Sequence, residues 1–402
     1  MKSAVIKFLS ALIFNTRILA AVTAILCVVI SLQHYLYTPP SGSVDALHHY
    51  THFNDYLIFK FSFEHLIHHR NLYITYSNEY FDLFKYTPTF ALLMAPFPLL
   101  SNIAGIILWD ILNAAVMFFA IRRFPFATRE KALFTFSFVI IEAITSLQNF
   151  ECNCLMTGLF LWAFIAAENK KTGLATFLIM LSAFIKPFGL AFFVLFIFYP
   201  QKLKAITYSA AWFLILLALP LVVVSVSELG GIYRDWGALL LNDHATASGF
   251  SVMGWLKTWF AIDEKFPVLI GGVILFLLPL LRIKSFTSKK FRILFLSSSL
   301  IWVIIFNHLA ESPTYIIAIT GVAIWYAHSK PASAINRALL ILCFLFSVLA
   351  STSFYPSFIR HNYFIPYVVK AVPCILIWIK ILYDLLTTDF SSDLSPSVLQ
   401  KL

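Results

Sequence analysis

Long apolar runs separated by short basic connectors dominate this chain, and they leave it few folds. Runs of spanning length lie at about 17–37, 101–121, 131–148, 153–168, 205–226, 266–282, 291–307, 313–328, 336–353 and 367–387. A helix needs roughly 20 apolar residues to cross a bilayer. A further run, 173–199, is broken by Lys186-Pro187 and predicts two helices that meet there. The stretch 88–100, with Pro88, Pro96 and Pro98, predicts a short helix ahead of the second span. Only 12% of the 402 residues are charged, about half the share of a soluble domain. The pattern predicts an all-α polytopic membrane protein of about twelve transmembrane helices, with residues 1–388 as one transmembrane domain. The acidic, serine-rich segment 389–402 reads as a short cytoplasmic tail. No small-residue cleavage site follows Ile18–Leu32, so this run is expected to stay as an uncleaved first span.

The net charge is +10, yet the basic residues sit in connectors between spans, which sets nucleic-acid binding aside. These connectors are Arg122-Arg123 to Lys131, Lys170-Lys171, Lys202 to Lys204, Arg282 to Arg292, and His328 to Arg337. With the N-terminus inside, all of them fall on the cytoplasmic side. That orientation needs residues 88–121 to make one net crossing and the Lys186 break to be an outward apex. Left outside are 38–87, the 148–153 bend, the Lys186-Pro187 apex, 227–265, 308–313 and 354–362. Most polar residues with chemical potential share this face, as in an outward-facing enzyme; a transporter would bury more of them at mid-membrane. The five cysteines make neither a disulfide framework nor a zinc site.

Loop 38–87 is too long for a plain connector. Within it Lys60, Glu64 and His68 recur at four-residue spacing, which predicts a helix in the interface plane with Asp55 at its start. A carboxylate there is either a general base or a first-turn acid favoured by the helix dipole. The histidines His48, His49, His52, His65, His68 and His69 lack the ligand pattern of a metal hydrolase, and no metal or other cofactor is expected. Lys186 precedes a proline inside an apolar run. Its ammonium can meet an anionic lipid phosphate or simply snorkel to headgroups. Arg360 and His361 carry the same two readings. His308 and Glu311 either contact a substrate or cap the helix that starts near Pro313.

Several of these elements resemble glycosyltransferase family 87 of the GT-C superfamily. They are Asn54-Asp55-Tyr56, Asn71-Leu-Tyr73, Phe84-Lys-Tyr86-Thr-Pro88, Ala95-Pro96-Phe-Pro98, Trp109-Asp-Ile-Leu-Asn113 and Phe184-Ile-Lys186-Pro187. Where the family carries Gly-Gln-x-Asn, this chain has Leu147-Gln148-Asn149-Phe-Glu-Cys-Asn153, without the glycine. Trp236, Asn242, Ser251 and Gly254 lie in a loosely similar loop. The resemblance implies a GT-C-like bundle and an inverting transferase. Its donor is a polyprenyl-phosphate sugar, often mannose, and its acceptor a lipid or glycan on the non-cytoplasmic face of a bacterial inner membrane. Asp55 would then be the base, Lys186, Arg360 and His361 would meet the donor phosphate, and Tyr86, Gln148, Asn149, Asn153, His308 and Glu311 would line the substrate. The rivals are a flippase of lipid-linked saccharides and a surface-glycan polymerase or ligase.

Overall fold

The apolar runs fold as helices. The computed structural model describes residues 13–37, 51–243, 248–329 and 333–390, and no strand occurs among them. In chain order the helices are α1 (Thr16–Tyr35), α2 (Asn54–Ile67), α3 (Pro88–Leu93), α4 (Asn102–Arg123), α5 (Arg129–Gln148), α6 (Asn153–Glu168) and α7 (Thr172–Ile185). A 3₁₀ helix, Pro187–Phe198, separates these from α8 (Lys202–Ala218), α9 (Val226–Asp243), α10 (Val252–Phe260) and α11 (Lys265–Leu277). Then come α12 (Lys289–Ile305), α13 (Tyr315–His328), α14 (Ala334–Cys343) and α15 (Ala371–Thr387). Among the described residues four helical stretches are long and apolar enough to cross a membrane by length and composition: Thr16–Tyr35, Asn102–Arg123, Lys202–Val222 and Ala334–Ser351. The fold is thus an all-α, membrane-associated bundle. Of the first outer loop, 38–50 with His48 and His49 lies outside the described residues, as does the tail beyond Phe390.

The chain divides into two compact units. The first comprises Met1–Arg123, Ser146–Leu190 and Leu203–Thr246. Within it α4 packs against α1 and α6, and α6 packs against α7. A β-carbon on Gly158 of α6 would come within 2.7 Å of the Val116 and Met117 backbone, so only glycine allows that approach of α6 to α4. Trp162 Nε1 donates to the Val116 carbonyl at 3.0 Å across the same contact. Between α1 and α4, Ser31 Oγ donates to buried Asp110 at 3.0 Å. The two loops expected on the outer face meet inside this unit. Helix α9 holds segment 69–89 through His69–Glu228 (2.7 Å), Trp236 Nε1 to the Lys85 carbonyl (3.2 Å) and Thr89–Tyr233 (3.1 Å).

The second unit comprises Phe124–Thr145, Ala191–Lys202 and Ala247–Leu402. Its centre is α12, which packs on α13 and α15. The small residues Ser297, Ser298 and Ser299 of α12 are all fully buried there, and Trp378 Nε1 of α15 donates to Ser298 Oγ at 3.0 Å. Sequence alone suggests few polar groups within spans, but the fold buries a charged cluster. Lys370 Nζ lies 2.6 Å from Glu142 and also donates to Ser312 Oγ (2.8 Å) and Ser351 Oγ (2.6 Å). Neither charge faces solvent: Glu142 is fully buried and Lys370 is 2% exposed. Such a pair is tolerable only because each ion meets a partner, since an isolated buried charge costs several kcal/mol, roughly, after relaxation.

Candidate active site

Proline chemistry positions the most polar cluster of the first unit. Pro187 disfavours helical backbone at the residue before it. Lys186 is accordingly extended (φ −129°, ψ 122°) and ends α7. Its side chain leaves the helix and, 17% exposed, reaches Asn153 Oδ1 at 2.8 Å and Glu151 Oε2 at 3.3 Å. Asn153 Nδ2 donates to the same Glu151 oxygen, so an amide, a carboxylate and an ammonium form one closed triangle.

The Glu151 side is built by the turn between α5 and α6. Phe150 occupies left-handed backbone (φ 54°), a conformation that costs a non-glycine residue roughly 1–2 kcal/mol. Packing holds it there: the Phe150 ring is fully buried, and Trp109 Nε1 donates to the Phe150 carbonyl at 2.8 Å. Asn113, one turn along α4 from Trp109, accepts from Leu155 N at 3.0 Å and fixes the start of α6. The Trp109 and Asn113 of one motif therefore shape the bend that carries Glu151 and Asn153.

Tyr86 joins this cluster to Asp55. Thr87 caps α3 by accepting from Phe90 N (3.2 Å) and donates to the Phe184 carbonyl, which ties the start of α3 to the end of α7. The Tyr86 ring then lies 5.9 Å from Lys186 Nζ, close enough for a cation–π attraction. On its other side Phe59 of α2 meets Tyr86 edge-on with ring centres 5.0 Å apart. Asp55 precedes Phe59 by four residues and so lies on the same helix face. Burial first, and then the neighbouring acidic groups of Cys152, Glu151 and Asp55, hold the Tyr86 hydroxyl well above its ordinary pKa. Tyr86 is therefore a neutral donor at physiological pH. Burial likewise pushes the neighbouring Cys152 thiol up to about 11, which leaves it protonated and unreactive.

Asp55 occupies the first turn of α2, beside Asn54. Asn54 clamps the turn at Phe81 by donating to its carbonyl (2.7 Å) and accepting from its amide (2.8 Å). In the Asn-Asp pair the asparagine thus does the structural fastening, and Asp55 remains half-buried at the helix start. Gln148 is half-buried at the end of α5, and Asn149 is exposed in the turn that follows. Among the histidines, His65 Nε2 meets Glu79 at 2.6 Å. Burial lowers the His65 pKa and outweighs the opposing pull of Glu79.

The remaining expected residues belong to the second unit. Glu311 is exposed and His308 half-exposed, in the loop before the 3₁₀ turn Ser312–Thr314. Gly249 packs against this loop with φ 48°, and a β-carbon there would lie 2.6 Å from the His308 carbonyl. Arg360 opens a π-helical turn, Arg360–Phe364, and His361 Nδ1 meets Ser357 in the short helix Ser357–Ile359 just before it. The first unit therefore gathers Asp55, Tyr86, Asn153 and Lys186, and sequence inspection missed Glu151. A signal was present: an acid between Gln148 and Asn153, in a chain this apolar, needs a cation.

A model of glycosyltransferase family 87 matches residues 84–352. The match takes in Tyr86, the 148–153 bend, Lys186, His308 and Glu311, whereas Asp55, Arg360 and His361 lie outside it. No curated protein matches the chain.

Proposed function

The chain belongs to glycosyltransferase family 87, and we propose that it moves a hexose, mannose first among candidates, from a polyprenyl phosphate to a lipid or glycan acceptor. The observation that carries this is the convergence on Tyr86: the Lys186 ammonium stands over its ring, and Phe59, one turn along α2 from Asp55, meets the ring edge-on. A proton acceptor and a cation on either side of one tyrosine supply the groups that an inverting transfer requires. The acceptor hydroxyl attacks the anomeric carbon as Asp55 takes its proton, and the bond from that carbon to the phosphate oxygen breaks. The phosphate leaves on its lipid with the electron pair, and Lys186 offsets the negative charge that develops. Glu151 is less suited to be the base, because one of its oxygens already accepts from Lys186 and Asn153. We assign it to orienting Lys186.

In this proposal residues 1–388 form one domain of about twelve spans with the N-terminus inside. Helix α2 lies in the outer interface, and transfer takes place on the outer face of a bacterial inner membrane. Tyr86, Gln148, Asn149 and Asn153 contact the sugar or acceptor. Phosphate binding by Arg360 and His361, and sugar contact by His308 and Glu311, are proposed on side-chain chemistry alone. The test is transfer by purified protein in nanodiscs, with radiolabelled polyprenyl-phosphate mannose and a crude lipid extract. Wild type should yield labelled product, and Asp55→Asn should lose it while inserting and melting normally. An active Asp55→Asn enzyme removes Asp55 as base, and no transfer from any polyprenyl-phosphate sugar removes the donor assignment.

A further inference from the structure

In the second unit an open cavity of about 460 Å³ lies where the N-terminal ends of α5 and α12 meet the end of α13. Lys131, Lys289 and Lys290 line it, and none of the three has an ion-pair partner among the described residues. Its floor is apolar and aromatic: Ile293 is buried, and the Phe126 ring stacks on His328 with centres 5.6 Å apart. His328 Nδ1 is committed to the Ile324 carbonyl at 2.9 Å.

The charge placement at the start of α12 is opposite to what helices favour. A helix N-terminus carries about half a positive charge and is ordinarily met by an acid. Helix α12 has no acid in its first turn and opens instead with Lys289 and Lys290. At the start of α5 the acid Glu130 meets the helix end, and Lys131 follows it in the same turn. The uncompensated start of α12 and three ammonium groups therefore raise the potential of one cavity, and a bound anion would relieve the repulsion. Positive-inside topology accounts for basic connectors in general. It does not account for three lysines brought around one cavity with an apolar floor.

We propose that this cavity binds a phosphate-bearing anion, either the headgroup of an anionic lipid or a free phosphate compound. The 17 residues of α12 separate it by about 25 Å from the His308–Glu311 loop at the helix's other end. It is thus a second site, independent of the transfer chemistry.

The experiment is calorimetric titration of the purified full-length protein in detergent. The probes are inorganic phosphate, dihexanoyl phosphatidylglycerol, and dihexanoyl phosphatidylcholine as a zwitterionic control. Two triple variants remove equal charge: Lys131→Gln/Lys289→Gln/Lys290→Gln at the cavity, and Lys202→Gln/Lys204→Gln/Lys284→Gln elsewhere. At least one anionic probe should saturate, with affinity weakened tenfold or more in the cavity variant and changed less than twofold in the other. Phosphatidylglycerol binding that phosphate cannot displace assigns a lipid headgroup; displacement at millimolar phosphate assigns the free anion. No saturable binding by either anionic probe, or equal losses in both triple variants, overturns the site. If the glutamine variant melts early, Lys131→Arg/Lys289→Arg/Lys290→Arg decides instead: it should bind as wild type does, and its failure to bind also overturns the site.

Discussion

At the scale of single residues, Lys186 and Glu151 have separable roles although they share a salt bridge. An ammonium aimed at developing phosphate charge acts in the transition state, and loss of one such group costs roughly 10²–10³ in kcat. Lys186→Gln should therefore lower kcat by about that factor, with Lys186→Arg recovering part of it. Glu151→Gln leaves the ammonium in place but releases it from the Asn153–Glu151 triangle, so a smaller loss of about tenfold is expected. Both variants are assayed as the Asp55 variants are, with melting temperatures as a check on folding. Equal losses in the two would mean that the pair only supports the fold. What could be read from sequence here follows locality. Pro187 dictates the backbone of Lys186, and Thr87-Pro88 announces a capped helix, so the positions of Lys186 and Tyr86 were legible. The partner of Lys186 lies 35 residues earlier in the chain, and no local rule connects the two.

At the scale of elements, the Glu142–Lys370 pair joins α5 to the start of α15 across 228 residues of sequence. It is the clearest case of what hydrophobic pattern conceals. An apolar run announces a helix but not its register against a distant one, and register alone decides whether two lone charges meet. The apolar helices were accordingly legible, including the break at Lys186-Pro187, whereas this cluster was not, nor were α9 and α10 in the segment read as the loop 227–265. Its energetics can be tested by a cycle. Removing one partner strands a charge with no solvent access, which typically costs about 3–5 kcal/mol. Glu142→Leu and Lys370→Met should each destabilise the protein by that order in detergent unfolding. The double variant should recover most of the loss, because Ser312 and Ser351 still bond each other at 2.7 Å. A double variant as unstable as the sum of the two singles would show that the pair is not the unit of stabilisation.

At the scale of the whole molecule, the proposed chemistry requires Asp55 and Lys186 to open to the same side of the membrane, away from the basic connectors. Labelling can decide this with little background, because all five native cysteines are free and buried. Lys204, Lys284, Asp263 and Phe358 are exposed positions for single introduced cysteines. If basic connectors face the cytoplasm, Lys204→Cys and Lys284→Cys should react with a membrane-impermeant maleimide only after spheroplasts are permeabilised. Asp263→Cys and Phe358→Cys, in segments read as outer, should react while spheroplasts are intact. The opposite pattern would put the Asp55 and Lys186 segments on the cytoplasmic side and remove the outward-facing transferase. It would also invert the second site: the three-lysine cavity would then face away from the cytoplasmic leaflet, whose negative surface potential attracts such clusters. The two proposals therefore stand on one orientation while relying on different chemistry. Asp55→Asn leaves the cavity intact, and removal of the cavity lysines leaves Asp55 and Lys186 in place, so each can fail without the other.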